Sequence, residues 1–294
     1  MDWIPAKTIL SGYRENSNWF GVNYNMNIYR GCPHGCIYCD SRSDCYGVEN
    51  FDQVRGKENA LLKLEKELKS KRKKGVVGTG AMSDPYNPFE KQYELTRNSL
   101  KLIDRFGFGI SIATKSDLVA RDVDILKEIT THSPVLVKIT VTAADDRLSK
   151  KIEPHVAPSS QRLKSLKILT EEGIFAGVLM MPILPFIEDT EENIRGIVEL
   201  AHESGAKFIY PAFGVTLRQN QRDWYYQQLD ILFPGIKEQY IKTFGNSYEC
   251  RSPRAKELWD LFVTHCNQYG ILYKMEDVIA AYKSSPVADQ LSFL

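Results

Sequence analysis

The chain is short of net charge, of cysteine and of long apolar runs. Its 38 Lys and Arg face 37 Asp and Glu for a net charge of +1, so no global field draws it to nucleic acid or an anionic membrane. A local basic patch is not excluded by that balance. No uninterrupted apolar stretch reaches bilayer-crossing length, and Met1-Asp2-Trp3-Ile4-Pro5 lacks the basic-then-apolar layout of a secretory leader. No membrane partner is therefore expected, and the expected home is a reducing cytoplasm. Six cysteines in 294 residues are too few for a disulfide-stapled scaffold. Short-period repeats and low-complexity linkers are also missing. What remains is a globular chain, 43% hydrophobic and 26% charged, long enough for one large core or two modest ones.

Against that background the run Gly31-Cys32-Pro33-His34-Gly35-Cys36-Ile37-Tyr38-Cys39-Asp40 stands out. Three thiols sit at C-x3-C-x2-C spacing, and Gly31, Pro33 and Gly35 deny the segment a regular helix and let it curl, so that the sulfurs can converge. A cube-shaped iron–sulfur cluster held wholly by protein takes four thiolates. Three leave one iron with an open position for a small molecule. The rival is a closed zinc site completed by His34 as Cys3His. His34 lies inside the loop between two of the ligands, a cramped place from which to reach the same ion. Cys250 and Cys266 form no second knuckle, and histidines 132, 155, 202 and 265 show no ligand spacing with one another.

Along the chain, 23–29 alternates as a first strand feeding the cysteine loop, and 57–74 reads as an amphipathic helix with Leu61, Leu64 and Leu68 on one face. Its basic end, Lys69 to Lys74, suits a solvated helix terminus better than a phosphate grip. Apolar strands over 75–82, 109–114, 135–141, 173–181 and 207–213 then alternate with helices over 95–106, 122–131, 160–172 and 191–204. Such alternation demands a parallel sheet, and six units predict an α/β fold, a partial (β/α)6 TIM-type barrel over 21–215. Residues 1–20 are expected to lie irregularly over the outside as an N-terminal extension. Residues 216–294, helical and rich in aromatics, are expected to form a C-terminal helical cap packed on the core. In such folds reacting groups gather where strands end, which singles out Ser83, Asp84, Lys115, Thr140 and the Met181–Leu184 segment.

Cys32, Cys36 and Cys39, with aromatic Tyr38 before the third cysteine, resemble the signature of the radical S-adenosylmethionine (radical SAM) enzymes. The resemblance implies the same barrel, a [4Fe–4S] cluster on the three cysteines, and S-adenosylmethionine (SAM) on the fourth iron, cleaved reductively to methionine and a 5′-deoxyadenosyl radical that abstracts hydrogen from an organic substrate. It also implies a reductant such as flavodoxin or ferredoxin. SAM asks for a cation at its carboxylate, which Lys115 offers. Ser83, Asp84 and Thr140 offer partners for its ribose, and Tyr38 with Met181–Leu184 an apolar slot for its adenine.

Over about 25–215 the pattern is most similar to the spore photoproduct lyase branch, which reverses a thymine dimer in DNA. Lys115 and Thr140 would match that lyase's SAM-binding lysine and serine. Two departures bear on its chemistry: Ala81 and Met82 stand where the lyase has its hydrogen-donor cysteine, and Asp40 stands where it has a second tyrosine. Cys45 and Cys250 are the candidate substitutes as hydrogen donors. A nucleic-acid substrate gripped by Arg42, Arg55, Arg218, Arg222, Arg251 and Arg254 with neighbouring aromatics is one alternative. A zinc-binding scaffold without turnover is another.

Overall fold

The computed structural model describes residues 1–12 and 19–284. Tyr13 and Arg14 of the expected extension, and residues 285–294 of the expected cap, lie outside the described residues. In chain order the strands are β1 (Asp2–Ile4), β2 (Leu10–Gly12), β3 (Tyr24–Met26), β4 (Tyr29–Arg30), β5 (Arg55–Lys57), β6 (Val76–Thr79), β7 (Gly109–Thr114), β8 (Val135–Thr140), β9 (Ala176–Met180), β10 (Ile209–Pro211), β11 (Gly214–Thr216) and β12 (Glu249–Arg251). The helices are α1 (Ala60–Ser70), α2 (Glu90–Tyr93), α3 (Leu95–Arg105), α4 (Val123–Thr130), α5 (Asp146–Ile152), α6 (Ser159–Glu171), α7 (Glu191–Glu203), α8 (Gln221–Leu232), α9 (Ile236–Phe244), α10 (Ala255–Tyr269) and α11 (Met275–Lys283).

The central sheet runs β10-β9-β8-β7-β6-β3-β2, and its six strands from β3 to β10 are mutually parallel. This is the expected partial (β/α)6 barrel. Its strands are short apolar runs buried on both sides, because helices cover one face and the barrel closes over the other. Ile110, Ile112, Val137, Ile139, Val178 and Met180 face the helical layer and its Leu100, Leu126, Leu166 and Ile197. On the interior face Val22, Val76, Leu136 and Phe208 gather with Phe20 at the foot of the barrel, where Val278 and Tyr282 of α11 cover them.

Three expectations are corrected. The run over 23–29 is two strands, because β4 leaves the barrel to pair with β5, which also pairs with β1. The N-terminal stretch is not irregular in its described part, since β1 joins that small sheet and β2 extends the main sheet antiparallel to β3. Finally, α1 stops at Ser70 rather than continuing through the basic run; Lys71 and Lys74 lie over the Tyr24 and Phe108 rings at 5.4 and 4.6 Å. The helical region past β11 packs at three separate places. Helices α8 and α9 lie by the cysteine loop, α10 lies on α7, and α11 closes the foot through a Tyr282 hydroxyl that donates to the Phe20 carbonyl.

Candidate functional site

The cysteine loop leaves β4 through Gly31. That residue adopts φ +83°, and a Cβ on it would come within 2.5 Å of the Gln53 carbonyl oxygen, so the close return of the chain requires glycine. Cys32 N–H then donates to Phe51 (2.8 Å), tying the start of the loop to its end. Ile37 N–H donates to Ile152 at the end of α5 (3.0 Å), and Gln221 of α8 donates its amide to the Tyr38 carbonyl (3.0 Å). Elements far apart in sequence therefore hold the loop's shape.

Cys32, Cys36 and Cys39 line one cavity of about 510 Å³ at the carboxyl ends of the parallel strands. Tyr38 lines it too, with Asp84, Lys115, Thr140, Met181 and Pro182 from successive strand ends, Trp19 from the N-terminal segment and Gly214–Thr216 from β11. This is where a parallel α/β fold places its ligands. Among the described residues no three His, Cys, Asp or Glu side chains are gathered on a point that would hold a single metal ion. Cys32, Cys36 and Cys39 would hold an iron–sulfur cluster through their thiolates, and all three line this one cavity.

Burial dominates the electrostatics. It pushes the Cys32 thiol up to about 12, with Asp84 adding to the rise, and pushes Cys36 well above the ordinary range against the pull of the Lys115 charge. Cys39 is also raised by burial, again opposed by Lys115. Burial works against the Lys115 ammonium as well, yet Cys36, Glu153, Cys39 and Asp84 together hold its pKa above the usual lysine value. Three buried thiols therefore stand beside a retained cation, and a metal group bound there would have to displace the thiol protons. The donor set and its single neighbouring ammonium fit a cluster with one open iron and a carboxylate-bearing ligand.

Asp84 is anchored within the protein. Its Oδ1 accepts from the Tyr86 N–H (2.9 Å) and the Thr114 hydroxyl (2.7 Å), its Oδ2 accepts from the Lys115 N–H (2.8 Å), and His34 Nδ1 lies 3.6 Å away. One carboxylate thus joins the ends of β6 and β7 and aims the Lys115 backbone. The approach depends on Gly80 (φ +93°), where a Cβ would meet the Ala113 carbonyl oxygen at 1.9 Å. Ser83 belongs to the same turn but is not among the lining residues. The Lys115 ammonium lies 5.6 Å from the centre of the Tyr38 ring.

Neither candidate hydrogen donor lines the cavity. Cys45 is exposed beside the Ser43 hydroxyl (3.3 Å). Cys250 is buried on β12 opposite Val215, packed with Leu217, Tyr225 and Tyr240. The arginines offered for a nucleic-acid backbone are mostly engaged within the protein. Arg42 pairs with Asp52 and lies 4.1 Å from the centre of the Trp224 ring. Arg218 pairs with Asp40 at 3.0 Å, and Arg254 with Glu191 and Glu257. Arg55 donates to the Glu49 carbonyl, and Arg222 to the carbonyls of Leu217, Gly245 and Ser247. Arg251 is exposed on β12.

Sequence reasoning missed a buried polar chain behind the loop. The Tyr38 hydroxyl donates to Glu153, Glu153 pairs with Arg162, and Arg162 also donates to the Thr140 carbonyl (2.6 Å). Glu153 and Arg162 straddle a helix break, so no helical or strand period links them. Their neighbours in sequence, Lys150, Lys151, His155, Ser160, Gln161 and Lys164, are themselves polar or charged, so nothing local flags them.

A model of the radical SAM superfamily matches residues 26–201, more than half of the chain, and the chain belongs to that superfamily. It is thereby an enzyme of the class that uses a [4Fe–4S] cluster and SAM. An uncharacterised protein of Methanocaldococcus jannaschii is 38% identical over 174 residues, covering 58% of this chain and 64% of the relative. An uncharacterised protein of Mycobacterium tuberculosis is 29% identical over 228 residues, covering 75% and 67%. The chain thus matches about two thirds of the length of these curated relatives. Among solved structures, spore photoproduct lyase complexed with dinucleoside spore photoproduct superposes with a TM-score of 0.63 at 16% identity, over 91% of this chain and 79% of that one. The likeness is one of fold. Among the described residues no helix is long and apolar enough to cross a membrane.

Proposed function

We propose that Cys32, Cys36 and Cys39 hold the cluster and that Lys115, Thr140 and Tyr38 bind SAM in the cavity they share. The observation that carries this is the convergence of three thiols and one buried-side ammonium on a single 510 Å³ space. With both groups bound, the chemistry supplied is reductive cleavage of SAM to methionine and a 5′-deoxyadenosyl radical, which takes a hydrogen atom from an organic substrate. Lys115 serves as the charge-assisted donor to the carboxylate of SAM. Tyr38 presents an aromatic wall with its hydroxyl already engaged by Glu153, so its ring face is what remains for adenine. Thr140 offers its hydroxyl to the ribose, while Asp84 lines the cavity and orients the Lys115 backbone. Met82, Met181, Pro182 and Trp19 give the outer cavity an apolar rim that keeps water from the radical.

A low-potential protein such as flavodoxin or ferredoxin is the expected reductant, and a reducing cytoplasm the expected setting. The domain reading that accompanies this is a 21–215 core with N- and C-terminal additions. A nucleic-acid substrate is supported by the shared fold of the lyase solved with a dinucleoside. Ala81, Met82 and the internally paired arginines argue for a different organic substrate.

The test is anaerobic. The chain is reconstituted with iron and sulfide, reduced with dithionite and given SAM, and 5′-deoxyadenosine is quantified. Formation of 5′-deoxyadenosine and methionine is expected; none from a fully loaded cluster overturns the proposal.

A further inference from the structure

Arg162 is the largest wholly buried side chain of the described residues, and Glu153 beside it is just as closed off. Four of its five N–H donors are engaged: Nε donates to the Ala157 carbonyl (2.8 Å), Nη1 to the Thr140 carbonyl (2.6 Å), and Nη2 to Ser149 Oγ (2.7 Å) and to Glu153. The other oxygen of Glu153 accepts from Tyr38. The pair thus joins two walls of the cavity, the turn between Cys36 and Cys39 and the end of β8. A buried ion pair is a poor way to gain stability, since well-packed apolar side chains do as well or better. Its position points to another use. Glu153 thus places a carboxylate one hydrogen bond from the turn that carries Cys36 and Cys39.

We propose that Glu153, held in place by Arg162, is a positioning residue that fixes Tyr38 against the cluster turn and sets the local charge felt by the cluster. This rests on the proposed function above. The physical consequence has a definite sign. With both charges present the pair is neutral overall. Removing the Glu153 charge would leave the Arg162 cation uncompensated behind the cysteine loop, which favours the added electron and raises the reduction potential.

Three full-length proteins, reconstituted with iron and sulfide, decide the matter: wild type, Glu153→Gln and Tyr38→Phe. Glu153→Gln keeps an acceptor for Tyr38 and loses only charge. Its midpoint potential, read by EPR-monitored redox titration, is expected above that of wild type. Tyr38→Phe keeps the ion pair and loses only the tether. It is expected to alter the EPR spectrum of the reduced, SAM-bound cluster and to weaken SAM binding by roughly tenfold, the low end of what an outer partner contributes at a metal site. A wild-type potential in Glu153→Gln together with a wild-type spectrum and affinity in Tyr38→Phe overturns the inference. Should Glu153→Gln fail to fold, Tyr38→Phe alone decides by the same two readouts. A wild-type chain that assembles no cluster would instead remove the proposed function, so the two failures are distinguishable.

Discussion

The two ends of the barrel treat buried charge in opposite ways. At the mouth, Asp84, Glu153 and Arg162 are hydrogen-bonded so that they join separate strand ends, and the Lys115 ammonium lies among their charges. At the foot, aromatic and aliphatic side chains fill the interior, and one ammonium, Lys138, sits among them. Its Nζ donates to Ser111 and lies 4.8 Å from the centre of the Phe20 ring, and burial alone pushes it down to about 7. Charges at the mouth organise a site. The charge at the foot is a burden on stability, carried one register below Thr140 on the same face of β8.

The sharpest way to break that contrast is at the cluster. Cys36→Ser should abolish both iron loading and 5′-deoxyadenosine formation while circular dichroism reports an intact fold. Retained full loading would mean that the three thiols do not act as a set. Next is the paired charge. Arg162→Met leaves Glu153 buried without its partner and should lower unfolding stability by about 3–5 kcal/mol in urea titrations. A loss under about 1 kcal/mol would place the mouth's ion pair among exposed, weak ones.

The unpaired charge should respond in the opposite direction. Lys138→Met is expected to stabilise the apoprotein by roughly 2–4 kcal/mol at pH 6, given about 1.4 kcal/mol per pH unit of displacement. The unfolded lysine keeps its proton up to about 10.5 and the folded one only to about 7, so the unfolded chain binds more protons between those values. Wild-type stability should therefore gain on that of Lys138→Met as pH rises from 7 towards 10.5, with the full penalty present below 7. Parallel stability profiles for the two proteins would contradict this. The smallest effect is expected at Cys45, exposed and off the cavity. Cys45→Ser should change stability by no more than about 0.5 kcal/mol and leave 5′-deoxyadenosine formation intact, as measured in the same anaerobic assay.

Much of the barrel was legible because its strands are apolar on both faces and separated by helices of crossover length. The expected 109–114 strand coincides with β7, and Lys115 and Thr140 were reached simply by reading off strand ends. The site's support was not legible. Asp84 carries a structural load that its position in a turn does not announce. Its neighbours turned out to be Tyr86, Thr114 and Lys115, the last two from the next strand. Gln221 reaches the Tyr38 carbonyl across 183 residues of sequence, a contact with no local signature.

The sequence by itself determined the candidate ligands and the layering: three cysteines in a loop that cannot be helical, and strand–helix units that build a parallel sheet. Both are local consequences of spacing and hydrophobic period. Only the tertiary structure decided which polar groups face the cavity and which are consumed in holding it, and where the N- and C-terminal segments attach. Those outcomes depend on contacts between residues distant in the chain, where hydrogen-bond satisfaction and the avoidance of unpaired buried charge, not periodicity, select the arrangement.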